Sequence, residues 1–130
     1  MQQQQKERQK ALTDKNLANR CVEICQEHKA ENILLYDVTG LSLLTDYYLL
    51  CTGTSEPHIR AISKYFNKEL GDEGIKPAHV DGTSASNWIV IDYGSVLIHI
   101  MTREIREYYN IEDLFEDDRI AYSSTDTDAE

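Results

Sequence analysis

The stretch Trp88 to Phe115 reads WIVIDYGSVLIHIMTREIREYYNIEDLF. Two β-branched apolar runs, WIVID and VLIHI, flank a turn that contains Gly94, and together they predict a β-hairpin. A two-residue turn centred on Tyr93 and Gly94 pairs Asp92 with Ser95, Ile91 with Val96, Ile89 with Ile98 and Trp88 with His99. Side chains alternate along a strand, so Ile89, Ile91, Val96, Ile98 and Ile100 share one face and Trp88, Val90, Leu97, His99 and Met101 the other. The first set is a core face. The second mixes an indole, an imidazole and a thioether, and suits a half-exposed surface that meets either another element of the chain or another molecule.

Outward from the hairpin, periodicity sets the remaining elements. Leu17, Cys21, Ile24, Cys25 and His28 make a helical stripe from a cap at Thr13 or Asp14 to about Ala30. Asn32–Val38 and Tyr47–Thr52 read as strands joined by a turn-rich segment around Gly40. Ser55 is a good N-cap and Pro57 suits a first turn, with Ile59, Ile62, Phe66 and Leu70 at helical spacing as far as Gly71 to Gly74. Lys76–Asp81 is a third strand, and a last helix runs from Arg103 to Phe115. The order αββαβββα predicts a single compact α/β domain on one mixed five-stranded sheet with flanking helices. Residues 1–12 read as a flexible N-terminal extension, 13–116 as the domain and 117–130 as an acidic disordered tail.

Composition narrows the function. The chain has 130 residues, room for one domain with a real core. Its 23 acidic against 13 basic residues give a net charge of −10, which opposes phosphate binding and favours a basic protein partner over direct sequence-specific contact with nucleic acid. No apolar run approaches the ~18 residues of a membrane span, and MQQQQKERQK lacks a signal-peptide core, so the expectation is a cytoplasmic protein. Three cysteines fit a reducing compartment. Cys21, Cys25 and His28 fall one helical turn apart, but no second ligand pair stands at structural-zinc spacing, and buried thiols on a core stripe explain them. No metal or cofactor is expected.

Catalytic sets are equally thin. The Gly53-Thr54-Ser55 turn between a strand and a helix has a counterpart in nucleotidyltransferases, whose chemistry needs clustered carboxylates around metal ions. No Asp-x-Asp pair follows here, and Asp46, Asp81 and Asp92 are scattered over three segments as turn, cap or surface groups. Ser95 and His99 share a strand side but stand too far apart for a Ser-His hydrogen bond. His58 and His79 have no visible partner. No reaction is expected; a nucleotide-handling enzyme of the nucleotidyltransferase type is the alternative.

Several ordered blocks resemble the ribosomal silencing factors, or Iojap-like proteins, from about Leu17 to Phe115: DVTGLSLLTDYYLLCTGTS at Asp37–Ser55, SEPHIRAI at Ser55–Ile62, Asp81-Gly82, WIVIDYGSVLIHI at Trp88–Ile100 and REYYNIEDLF at Arg106–Phe115. The family usually has Glu at Asp81, Leu at Ile111 and Trp at Phe115. The resemblance implies a fold with nucleotidyltransferase-like topology and a translational repressor, not an enzyme. It further implies docking on ribosomal protein fourteen of the large ribosomal subunit, so that joining with the small subunit is sterically blocked. The contact-bearing blocks then make Trp88, Tyr109 and Ile111 the anchors, with Met101 and Tyr108 beside them. Leu114 and Phe115 are expected to pack the last helix on the sheet, and a free copy has an apolar patch through which a homodimer could form.

Overall fold

The computed structural model describes the backbone of residues 2–124 and the side chains of residues 14–124. The first helix, α1 (Gln2–Glu27), is continuous from its second residue onward, so Thr13 and Asp14 are interior positions and neither caps it. Its buried stripe is Leu17, Ala18, Cys21, Val22, Ile24 and Cys25. The helix stops short of the expected Ala30 because Lys29 takes a left-handed conformation (φ 61°), which lets the Ala30 N–H donate back to Cys25 O at 2.9 Å. His28 therefore leaves the stripe and stacks on Tyr65, with ring centroids 3.5 Å apart.

After α1 come β1 (Glu31–Asp37), β2 (Tyr47–Gly53), α2 (Glu56–Asp72), β3 (His79–Thr83), β4 (Trp88–Asp92), β5 (Val96–Thr102), α3 (Arg103–Tyr109) and β6 (Ile120–Ser123), with short 3-10 turns at Ser84–Ser86, Ile111–Leu114 and Asp117–Arg119. The sheet order is β3-β4-β5-β2-β1-β6. Only β2 and β5 run parallel; the other pairs are antiparallel. The sheet is mixed, as expected, but has six strands rather than five. The sixth lies in the segment read as a disordered tail: Ile120 pairs with Tyr36 and Ser123 with Leu34 along the outer edge of β1. Residues 125–130 of that expected tail lie outside the described residues.

The hairpin register differs from the two-residue turn. Asp92 pairs with Leu97 and Trp88 with Met101, so the turn is centred one residue later, and the three residues Tyr93–Ser95 connect the strands. The Gly94 N–H donates to Asp92 Oδ1 at 2.7 Å, the Tyr93 N–H donates to Val96 O at 2.9 Å, and Gly94 takes the left-handed φ of 86°. The slip is by two residues, an even number, so the face of every side chain is preserved.

Ile89, Ile91, Val96, Ile98 and Ile100 join β1 and β2 residues under α1 and α2 in the main core. Ser55 caps α2 as expected, its hydroxyl accepting from the His58 N–H at 3.2 Å. Gly53 permits that helix to close on the sheet, since a Cβ there would come within 2.7 Å of Ile59 Cγ1. The opposite face carries a second, smaller core of Tyr36, Val38, Leu50 and Met101. It is roofed by α3 and the turn after it, which settles how the mixed face of the hairpin is partly covered.

Candidate aromatic binding surface

The last helix is shorter than expected. Thr102 caps α3, its hydroxyl accepting from the Ile105 N–H at 3.5 Å, but Asn110 turns left-handed (φ 47°, ψ 54°) and ends the helix at Tyr109. Asn tolerates this conformation better than most residues, and its side-chain amide donates to Asp113 Oδ2 at 2.8 Å. The chain then continues as the 3-10 turn Ile111–Leu114. The break redirects the end of the segment. Phe115 folds back onto the sheet, its ring 4.7 Å from those of both Tyr36 and Tyr48, while Leu114 points outward at 76 % exposure. Phe115 thus packs as expected and Leu114 does not.

A buried arginine fixes the geometry. Arg106 Nε donates to Glu112 Oε1 at 2.6 Å, and Nη1 donates to Thr52 Oγ1 at 2.9 Å and to the Asn32 carbonyl. One guanidinium therefore ties α3, the turn after it, β2 and the start of β1 together. Planar forked donors suit such a multiple clamp. Nothing in the sequence marks Arg106 for this role, because two of its three partners, Thr52 and the Asn32 carbonyl, come from distant segments.

The clamp leaves a ladder of rings on the surface. Trp88, half-buried at the start of β4, lies 4.9 Å from Tyr109, which meets Tyr108 edge-on at 4.9 Å; both tyrosines are largely exposed. The Trp88 indole N–H donates to His99 Nδ1 at 3.0 Å, so the imidazole carries its proton on Nε2. Burial pushes the His99 pKa down to about 4, which keeps it a neutral acceptor. Asp81, Gly82, Ile105 and Tyr109 complete a shallow cleft beside Trp88. Gly82 is required there: its φ is 76° and a Cβ would come within 2.2 Å of the Trp88 carbonyl oxygen. Ile111 is half-buried against the second core. Met101, expected at the contact surface, is fully buried at 0 % exposure and supports the ladder from beneath.

Other candidates do not assemble. Among the described residues, the one group bringing three potential ligand atoms within 4.8 Å is Glu27, His28 and Glu69. Arg20 already sits 3.8 Å from Glu27 and 3.9 Å from Glu69, so this is an ion-pair network between α1 and α2. Asp46, Asp81 and Asp92 stay on separate segments. Cys21, Cys25 and Cys51 are buried thiols, and burial pushes Cys21 up to about 12. His58 Nδ1 accepts from the Thr54 N–H at 2.9 Å and Nε2 donates to His28 O at 2.9 Å, tying the start of α2 to the end of α1. Among the described residues no helix is long and apolar enough to cross a membrane.

Residues 11–130 match the family model described as ribosomal silencing factor during starvation. The chain is 31 % identical over 110 residues to the ribosomal silencing factor RsfS of Bacillus subtilis, covering 85 % of this chain and 93 % of that protein. It is 30 % identical to the mouse mitochondrial assembly of ribosomal large subunit protein 1, covering 82 % of this chain and 50 % of that one. A crystal structure from Bacillus halodurans superposes with a TM-score of 0.70 at 32 % identity, covering 78 % of this chain and 94 % of the other. That of CV0518 from Chromobacterium violaceum, at 24 % identity and a TM-score of 0.74 over 83 % of this chain and 92 % of that one, shares the fold. The chain belongs to the ribosomal silencing factor family.

Proposed function

We propose that the chain is a translational repressor that binds the large ribosomal subunit through ribosomal protein fourteen and sterically blocks joining with the small subunit. The observation that carries this reading is the exposed ladder Trp88–Tyr109–Tyr108, held by the Arg106 clamp on the sheet face away from α1 and α2. Tyr and Trp bury large areas at little conformational cost, and a surface fixed in advance loses little freedom on binding. Ile111 and Leu114 extend the ladder as aliphatic contacts. Seven carboxylates against three arginines between Arg103 and Arg119 surround it with negative charge, complementary to a basic ribosomal protein and repelled by rRNA phosphate. The site works by occupancy in the cytoplasm and carries out no reaction. In a free copy the same ladder can pair with a second molecule.

Co-sedimentation of the chain with purified large subunits tests the reading. The parent chain travels with the large subunit and Trp88→Ala is depleted from it; equal recovery of both, or travel with the small subunit instead, contradicts it. A nucleotidyltransferase-type enzyme is the less favoured reading, because its layout calls for a carboxylate cluster that Asp46, Asp81 and Asp92 do not form.

A further inference from the structure

A second exposed surface lies at the far end of the sheet. Trp88 pairs with Met101 at the C-terminal end of β5, whereas the loop entering β2 sits beside Ser95 at the N-terminal end of β5, with Tyr47 paired to Val96. That loop presents Leu41, Leu43 and Leu44 at 63 %, 106 % and 76 % exposure. Three neighbouring leucines in water are unusual, since apolar groups of this size gain by burial.

The loop is held in place. The Val38 N–H donates to Asp46 O at 2.9 Å, the Leu44 N–H donates to Ser42 Oγ at 3.1 Å, and the Tyr47 N–H donates to Ser95 O at 2.9 Å. Its leucines are therefore displayed by an ordered backbone. Beside them runs an open groove floored by Leu17 and Tyr93, whose lining among the described residues includes Asp14 and Asp46 but no lysine or arginine. Asp37 joins these two carboxylates around Tyr47: burial first, then the charges of Asp37, Asp46 and Asp14, push its phenol above the usual value.

We infer that the Leu41–Leu44 loop and the groove beside it form a second docking site, separate from the aromatic ladder, for a basic segment of a protein partner that carries aliphatic side chains. The exposed leucines take the aliphatic groups. Asp14, Asp37 and Asp46 face the lysines or arginines, in the way that charged rims select a partner around an apolar centre. An anionic surface, whether nucleic acid or acidic lipid, is disfavoured by the same three carboxylates. The two sites lie at opposite ends of the sheet, so one molecule can hold a partner at each.

The test uses the full chain and an amphipathic helical peptide of leucine and lysine, with a leucine and glutamate peptide of the same pattern as the control. Binding is followed by anisotropy of a dye on the peptide. The parent chain and Trp88→Ala are expected to bind the lysine peptide equally, and the double variant Leu43→Ser, Leu44→Ser to bind it at least tenfold more weakly while melting at the parent's temperature. The glutamate peptide is expected not to bind. The inference is overturned if the lysine peptide does not bind the parent, if the double variant binds as well as the parent, or if the two peptides bind alike. Equal partition of the parent and the double variant onto phosphatidylcholine vesicles supports a protein partner; leucine-dependent partition onto them overturns it. Because Trp88→Ala is carried alongside, failure of this site is distinct from failure of the aromatic ladder.

Discussion

At the residue scale, three side chains decide how the aromatic surface is built. Trp88→Ala is expected to weaken large-subunit binding by more than about 1 kcal/mol with the melting temperature retained within a few degrees, since the ring is only partly buried and a second core lies beneath it; thermal melting and co-sedimentation separate the two effects. Arg106→Met is expected to cost about 3 kcal/mol of stability in denaturant titration, because Glu112, Thr52 and the Asn32 carbonyl lose a shared buried donor. A loss below 1 kcal/mol would mean that water replaces the guanidinium without difficulty. For His99 the folded pKa of about 4 lies below the unfolded value of 6.5, so the unfolded chain takes up a proton first. The contribution of neutral His99 to stability is then complete above pH 6.5 and is lost as pH falls toward 4, by on the order of 3 kcal/mol. Trp88 is the only tryptophan, so its emission should shift with a midpoint near pH 4 as the imidazole ceases to accept its N–H; a midpoint at the unfolded value would show a solvated ring. Trp88 and Tyr109 could be read as surface aromatics from the sequence, whereas Arg106 and the exposed leucines could not. An apolar residue in a short loop gives no sign of whether it turns in or out, and a clamp that reaches two remote strands has no spacing.

Elements carried more of their identity in the sequence. Both hairpin strands and their core face follow from alternation, which survives a slip of two residues in register. Helix α2 announces itself through Ser55, Pro57 and its four buried residues. The end of α3 was hidden because only the backbone of Asn110 distinguishes a continuing helix from a left-handed break. Strand β6 was hidden for another reason: Ile120–Ser123 follows an acidic run and is only four residues long, so its two strand-favouring residues, Ile120 and Tyr122, are too few to stand out, and it is ordered by pairing with β1. Ile120 and Tyr122 pack against the two different cores, so removing the chain from Ile120 onward is expected to lower stability by about 2 kcal/mol. Calorimetry of the truncated chain checks this, and an unchanged melting temperature would reduce β6 to an ornament on the edge of β1. Removal of residues 1–10 is expected to leave both melting and subunit binding unaltered.

Across the whole molecule, two layers of packing serve different ends. The face under α1 and α2 holds most of the buried apolar residues, and the opposite face spends its smaller core on supporting an exposed set of rings. The chain as a whole carries a net charge of −10, so added salt is expected to slow association with large subunits while changing dissociation little; stopped-flow mixing at several ionic strengths reads both rates. The central proposal is that occupancy of the large subunit by this chain prevents joining. Light scattering of purified large and small subunits, mixed after the chain has been titrated onto the large subunit, tests it most directly. The extent of joining is expected to fall in proportion to the fraction of large subunits occupied, to recover fully once the chain is stripped away, and to be spared by Trp88→Ala at the same concentration. Undiminished joining by large subunits saturated with the chain, or a block that persists after its removal, would contradict repression by occupancy.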